Sequence, residues 1–148
     1  MGACPQCGAP DRDELTCRAQ WDELLALEFS DARAGSVHFL TVACYQLQHP
    51  ESFPLDPDVR QQLRGALHDV LVHDRPMAEI RDAVQRRYDG ARRVRAATPA
   101  PARRQRPWSR TVHDVGPPDA DHHVERVRAW ARGVHRDLTD EPDDPQHH

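Results

Sequence analysis

The segment Cys4-Pro5-Gln6-Cys7-Gly8 carries the clearest chemical signal in the chain. Two thiolates separated by two residues can grip one tetrahedral ion, because a tight turn brings the sulfurs to within about 4 Å. Pro5 stiffens that turn, and Gly8 admits the left-handed backbone that aims amides at the sulfurs. Cys17, ten residues on, is the natural third ligand. The start of the chain, MGACP, has neither the basic nor the apolar region of a signal peptide. A cytoplasmic setting follows as the expectation, and there four cysteines point to metal binding rather than disulfides. A redox dithiol would want the pair at a helix start after a strand. A frayed terminus, with Cys17 as a small core residue, would leave the thiols idle. Structural zinc accounts for the spacing better than either.

A closed structural zinc site needs a fourth ligand. Cys17, Trp21, Leu24 and Glu28 share one face of a first helix, at offsets of four, seven and eleven residues. His38, Val42, Tyr45 and His49 share a face of a second helix at the same offsets. If the two run antiparallel, Cys17 meets His49 and Glu28 meets His38. His49 is therefore the expected fourth ligand, with His38 next, and Cys44 faces elsewhere as a buried small hydrophobe.

The Glu28–His38 end could orient a metal ligand, act as an acid–base pair, or satisfy a polar spot between helices. His68 and His73 read as ordinary residues of a solvated helix face. His113, His122, His123 and His135 share no spacing that marks a site, and His147 and His148 belong to the tail.

The elements that must position these groups read as helices throughout. Asp11 with Glu14 resembles a capping box opening the first helix, which runs to about Ser30. Asp31 caps the second, which stops before Pro50. Asp56-Pro57 opens a third, with Val59, Leu63, Ala66, Leu67, Val70 and Leu71 in helical register. A shorter helix starts at Pro76 and ends near Gly90. Residues 91–110 read as an Arg/Pro-rich linker. Thr111 to Val115 is expected to be a short extended piece. Asp121 caps a last helix bearing Val124, Val127, Trp130, Val134 and Leu138. Residues 139–148 should be a disordered tail. The expected fold is all-α: a zinc-stabilised core over residues 1–90, the linker 91–110, and a C-terminal helix over 111–138 packing on the core.

All 20 basic residues apart from histidine are Arg, and net charge is −4. Residues 1–80 hold six Arg against thirteen acids, 81–110 ten against two, and 111–148 four against nine. The basic island, including Arg92, Arg93, Arg95, Arg103, Arg104 and Arg106, could neutralise phosphates, with Trp108 stacking on a base. A solvated linker in an acidic protein is the preferred reading. No apolar run is long enough to span a membrane. No Gly-rich phosphate loop, nucleophile elbow or paired-carboxylate motif occurs.

The run Leu24-Leu25-Ala26-Leu27-Glu28-Phe29-Ser30-Asp31, followed by Gly35, Val37-His38, Leu40-Thr41-Val42, Tyr45 and Leu47-Gln48-His49-Pro50, joins Cys4-Pro5-x-Cys7-Gly8-Ala9 in a recognisable pattern. It resembles an uncharacterised family of small bacterial proteins classed only as a domain of unknown function. The similarity continues at Trp108, Thr111-Val112 and Val127-x-x-Trp130-Ala131. The resemblance implies the same helical domain and brings no activity with it.

The first functional expectation is a zinc-binding helical module, a binding or regulatory protein with a protein or small-molecule partner. The second is a metal-dependent or His-based enzyme using Glu28, His38, Tyr45 and His49. The third is a nucleic-acid-binding accessory protein.

Overall fold

The computed structural model describes residues 2–80, 82 and 107–140. The expected linker from 91 to 106, the end of the shorter helix expected near Gly90 and the tail from 141 lie outside these residues, whereas Thr139, expected to begin the tail, is the last residue of a helix. The described residues hold helices and no strands: α1 (Cys17–Ser30), α2 (Ala32–Gly35), α3 (His38–Gln48), α4 (Pro57–Val72), α5 (Val112–Val115) and α6 (His123–Thr139). Residues 77–80 are also helical. None of these helices is long and apolar enough to cross a membrane.

Before α1 the chain forms a knuckle held by its own backbone. The Cys4 amide donates to the Ala9 carbonyl at 2.8 Å, Gly8 to Cys4 at 2.8 Å and Asp11 to Gly2 at 2.9 Å. Gly8 has φ +84°, the left-handed conformation that a glycine adopts without penalty. The expected helix start at Asp11 is too early. Asp13 and Glu14 have φ of 48° and 73°, and Arg12 and Leu15 exchange backbone hydrogen bonds at 3.0 and 2.8 Å. These residues turn the knuckle back before the helix can begin. Thr16 is the actual cap, its side chain accepting from the Ala19 amide at 3.2 Å.

Asp31 caps as expected, but the helix it opens lasts one turn. Gly35 passes so close to α1 that a Cβ would lie 2.7 Å from the Glu28 carbonyl oxygen, and α3 starts afresh at His38. Pro57 occupies the first turn of α4, after the Asp56 cap. Two further expectations give way. Thr111 to Val115 is a helical turn, because Thr111 and Asp114 form a complete capping box. The cap of α6 is His122, whereas Asp121 pairs with Arg33 at 3.1 Å.

Helix α6 lies against α2, α3, α4 and α5, and α1 lies against α3 and α5. The shared interior holds Leu24, Leu40, Leu47, Leu67, Val127 and Trp130, each at most 1% exposed. A buried amide fastens the two halves of the sequence: Gln48 donates to the Arg110 carbonyl at 2.7 Å and accepts from the Trp130 indole at 3.1 Å. Both of its polar ends are thus satisfied within the core. Cys44 is fully buried, and burial alone pushes its thiol up, as befits an inert core residue.

Candidate metal centre

The knuckle, the first turn of α1 and the end of α3 bring Cys4, Cys7, Cys17 and His49 together. One ligand-type atom from each lies within 4.8 Å of all the others. Cys7 Sγ is 3.6 Å from Cys17 Sγ, and Cys17 Sγ is 3.3 Å from His49 Nε2. Ligands of a tetrahedral zinc ion at ordinary bond lengths stand about 3.4–3.8 Å apart, so the four are close enough to hold a metal ion. Cys7, Cys17 and His49 are buried, Cys4 partly so, and all four cysteines are free of disulfides.

The neighbours of the cluster orient it. The His49 ring donates from Nδ1 to the Tyr45 carbonyl at 2.6 Å, which presents Nε2 to the sulfurs. That division of the two ring nitrogens is the usual one for a ligating imidazole. His49 has left helical geometry, with φ −130° and ψ 63°, because Pro50 cannot follow a helical residue comfortably. Its ring stacks on Tyr45 at 3.8 Å, and Tyr45 stacks on Trp21 at 4.0 Å. Phe53 stands edge-on to both Trp21 and Tyr45. The Ala9 amide donates to Cys7 Sγ at 3.4 Å, and Gln6 ties the knuckle to the loop after His49 through Ser52 Oγ and the Glu51 amide, both at 2.9 Å.

Of the three sulfurs, Cys17 has the surroundings that most favour a thiolate. Its hydrogen bond with Cys7, helped by His49 and Tyr45, holds its thiol below the ordinary value in spite of burial. Cys7 is pushed up by that bond and by burial. Tyr45 is pushed up by burial and by its contact with Cys17. Sulfurs this close cannot all carry charge without a cation among them.

At the other end of α1, Glu28 is a hub. Its Oε1 accepts from His38 Nδ1 at 2.8 Å, and its Oε2 accepts from His123 Nε2 at 2.6 Å and from the Thr41 hydroxyl. The Glu28 and His123 side chains are each 1% exposed, against 40% for His38. His123 Nδ1 is buried without a partner among the described residues. The expected meeting of Glu28 with His38 thus occurs, on the end of α1 away from the cysteines.

His123 corrects the reading that it marks no site. Only the tertiary packing of α6 brings it 95 residues back to Glu28. Its helical spacing with buried Val127 and Trp130 was the available signal. His113 meets Gln20 Oε1 at 3.3 Å, and His122 meets Asp119 at 2.9 Å. Trp108, which the sequence offered as a base-stacking residue, packs half-buried against the core. A cleft of ≈ 440 Å³ opens beside Cys7, between Trp108, Pro10, Thr111 and Asp114.

A helical domain with a cysteine knuckle closed by the histidine at the end of α3 is the class that this geometry defines. The chain belongs to the family of unknown function DUF5946, whose model matches residues 2–139. No curated protein and no solved structure matches it.

Proposed function

We propose that this protein is a zinc-stabilised helical module, a binding or regulatory protein of the cytoplasm in which Cys4, Cys7, Cys17 and His49 coordinate one structural zinc ion. The convergence of these four groups within 4.8 Å carries the reading. Three thiolates and an imidazole form a soft, tetrahedral donor set that suits zinc. Four protein ligands also leave no open position, which favours a structural over a catalytic ion. The ion would lock the knuckle onto α1 and α3 beside the ≈ 440 Å³ cleft, and that cleft is our candidate surface for a protein or small-molecule partner. Elemental analysis of protein purified without chelator should find close to one zinc per chain, and chelation should lower its melting temperature. Well under half an equivalent would reject the reading.

The Glu28–His38 hydrogen bond of 2.8 Å supports a second reading, a His-based enzyme. A half-exposed imidazole steered by a buried carboxylate has the arrangement of a general base. His38 should then react with an activated ester faster than free imidazole, and His38→Gln should abolish the excess. Equal rates would remove this reading. For nucleic acid, steep salt-dependent binding lost on neutralising the arginines between Arg92 and Arg106 would displace both readings.

A further inference from the structure

Histidines far apart in sequence meet on the outer surface where α4 packs against α6. His68 Nδ1 lies 2.9 Å from His135 Nε2. The ring of His73, at the end of α4, stands edge-on to His68 with centroids 5.2 Å apart. His68 and His73 are exposed and His135 is half-buried, so an ion can reach them from solvent. None of the three touches the cysteine cluster or the Glu28 hub.

We propose that His68 and His135, with His73 as a third donor, form a second metal site, for a divalent transition cation of tetragonal preference such as Cu²⁺ or Ni²⁺. Two nitrogens bound at right angles, each about 2.05 Å from an ion, stand about 2.9 Å apart, whereas tetrahedral zinc spreads them to about 3.4 Å. The observed 2.9 Å matches that spacing and is equally the length of the N–H···N hydrogen bond the two rings make, so the ion binds in place of that bond once the donor ring carries its proton on its other nitrogen. All-nitrogen donors with open positions for water also suit Cu²⁺ and Ni²⁺ better than the thiolate set does. The exposed His73 ring, its centroid 5.2 Å from that of His68, would have to turn to reach the same ion. One ligand comes from each of two helices, so the cation clasps α4 to α6.

The test uses the zinc-loaded full chain with His147→Ala and His148→Ala, which remove competing tail imidazoles, and Ni²⁺ as the probe. Calorimetric titration should show one Ni²⁺ bound per chain. His68→Ala or His135→Ala should weaken binding at least about tenfold, and His73→Ala by a smaller factor. Should an alanine variant fold poorly, His68→Gln and His135→Gln replace it. Paramagnetic broadening in the parent should fall first on the His68 and His135 rings. Unchanged affinity in those variants, broadening centred elsewhere, or no binding at all would overturn the proposal and leave the pair a plain hydrogen bond. Zinc measured in the same samples keeps this result separate from that for the cysteine cluster.

Discussion

Helix α1 ends in polar machinery at both extremities, and the two ends are built on opposite plans. At Cys17 four donor atoms crowd around a common centre, all within 4.8 Å of one another. At Glu28 the partners are strung along a carboxylate, His38 on one oxygen and His123 with Thr41 on the other. Convergent groups of like charge need a cation to hold them together. A carboxylate surrounded by donors is already satisfied by hydrogen bonds. The comparison teaches that a cluster of ligand-type residues points to a metal only when its atoms aim at one point.

Breaking the cysteine end should have the largest effect. Cys17→Ser should reduce bound zinc from near one to near zero per chain and lower the melting temperature by about 10 °C, which corresponds to roughly 3–4 kcal/mol. Metal analysis and calorimetry check both. Glu28→Ala comes next: it orphans the buried His123 donor, leaves the Thr41 hydroxyl only the Val37 carbonyl at 3.3 Å, and should cost about 3 kcal/mol in denaturant unfolding, with zinc content unchanged. Loss of zinc in that variant would show that the two ends are not independent. Gly35→Ala sharpens the same contrast without touching a donor. Its Cβ would press on the Glu28 carbonyl oxygen, so α2 must shift at a cost of about 1–3 kcal/mol. His38→Ala should cost only about 1 kcal/mol, because its ring is half-exposed and Glu28 keeps two donors.

The smallest effect belongs to Asp119, next to the start of α6. Its carboxyl is held below the ordinary value by the His122 hydrogen bond first, and further by the Asp121 amide and Arg126. A lowered carboxyl stabilises the fold above its ordinary value and loses that contribution as pH falls through the folded value. Asp119→Asn should therefore leave the melting temperature almost unchanged at neutral pH and flatten its decline in acid. The carboxyl is more than a third exposed, so solvent screens the interaction.

The cysteine end was legible because its information is local or helical. Two cysteines in one turn, a third at a helix start and a histidine before a proline can be read from spacing alone. The same periodicity paired Glu28 with His38. His123, and the meeting of His68 with His135, depend on how α6 docks, and no spacing within the chain encodes that. The misplaced helix starts share another cause. Asp11 and Asp121 are good capping residues by type, but the knuckle turn claims the first and Arg33 the second, and caps compete with such tertiary partners. The Thr111–Asp114 capping box lies among β-branched residues, Thr111, Val112 and Val115, whose strand preference points away from the helical turn they form.

The placement of Gln6, Tyr45 and His49 around the cysteines also has a consequence in time. Cys4, Cys7, Cys17 and His49, with the Gln6, Tyr45 and Ser52 side chains described around them, all lie within the first 53 residues of 148, whereas Glu28 waits for His123, another 74 positions beyond His49. At a synthesis rate of about 5–20 residues per second, that interval is roughly 4–15 s. A nascent chain can therefore complete one end of α1 while the carboxylate at the other end still has only its two neighbours on α3, so the order of translation separates the two assemblies.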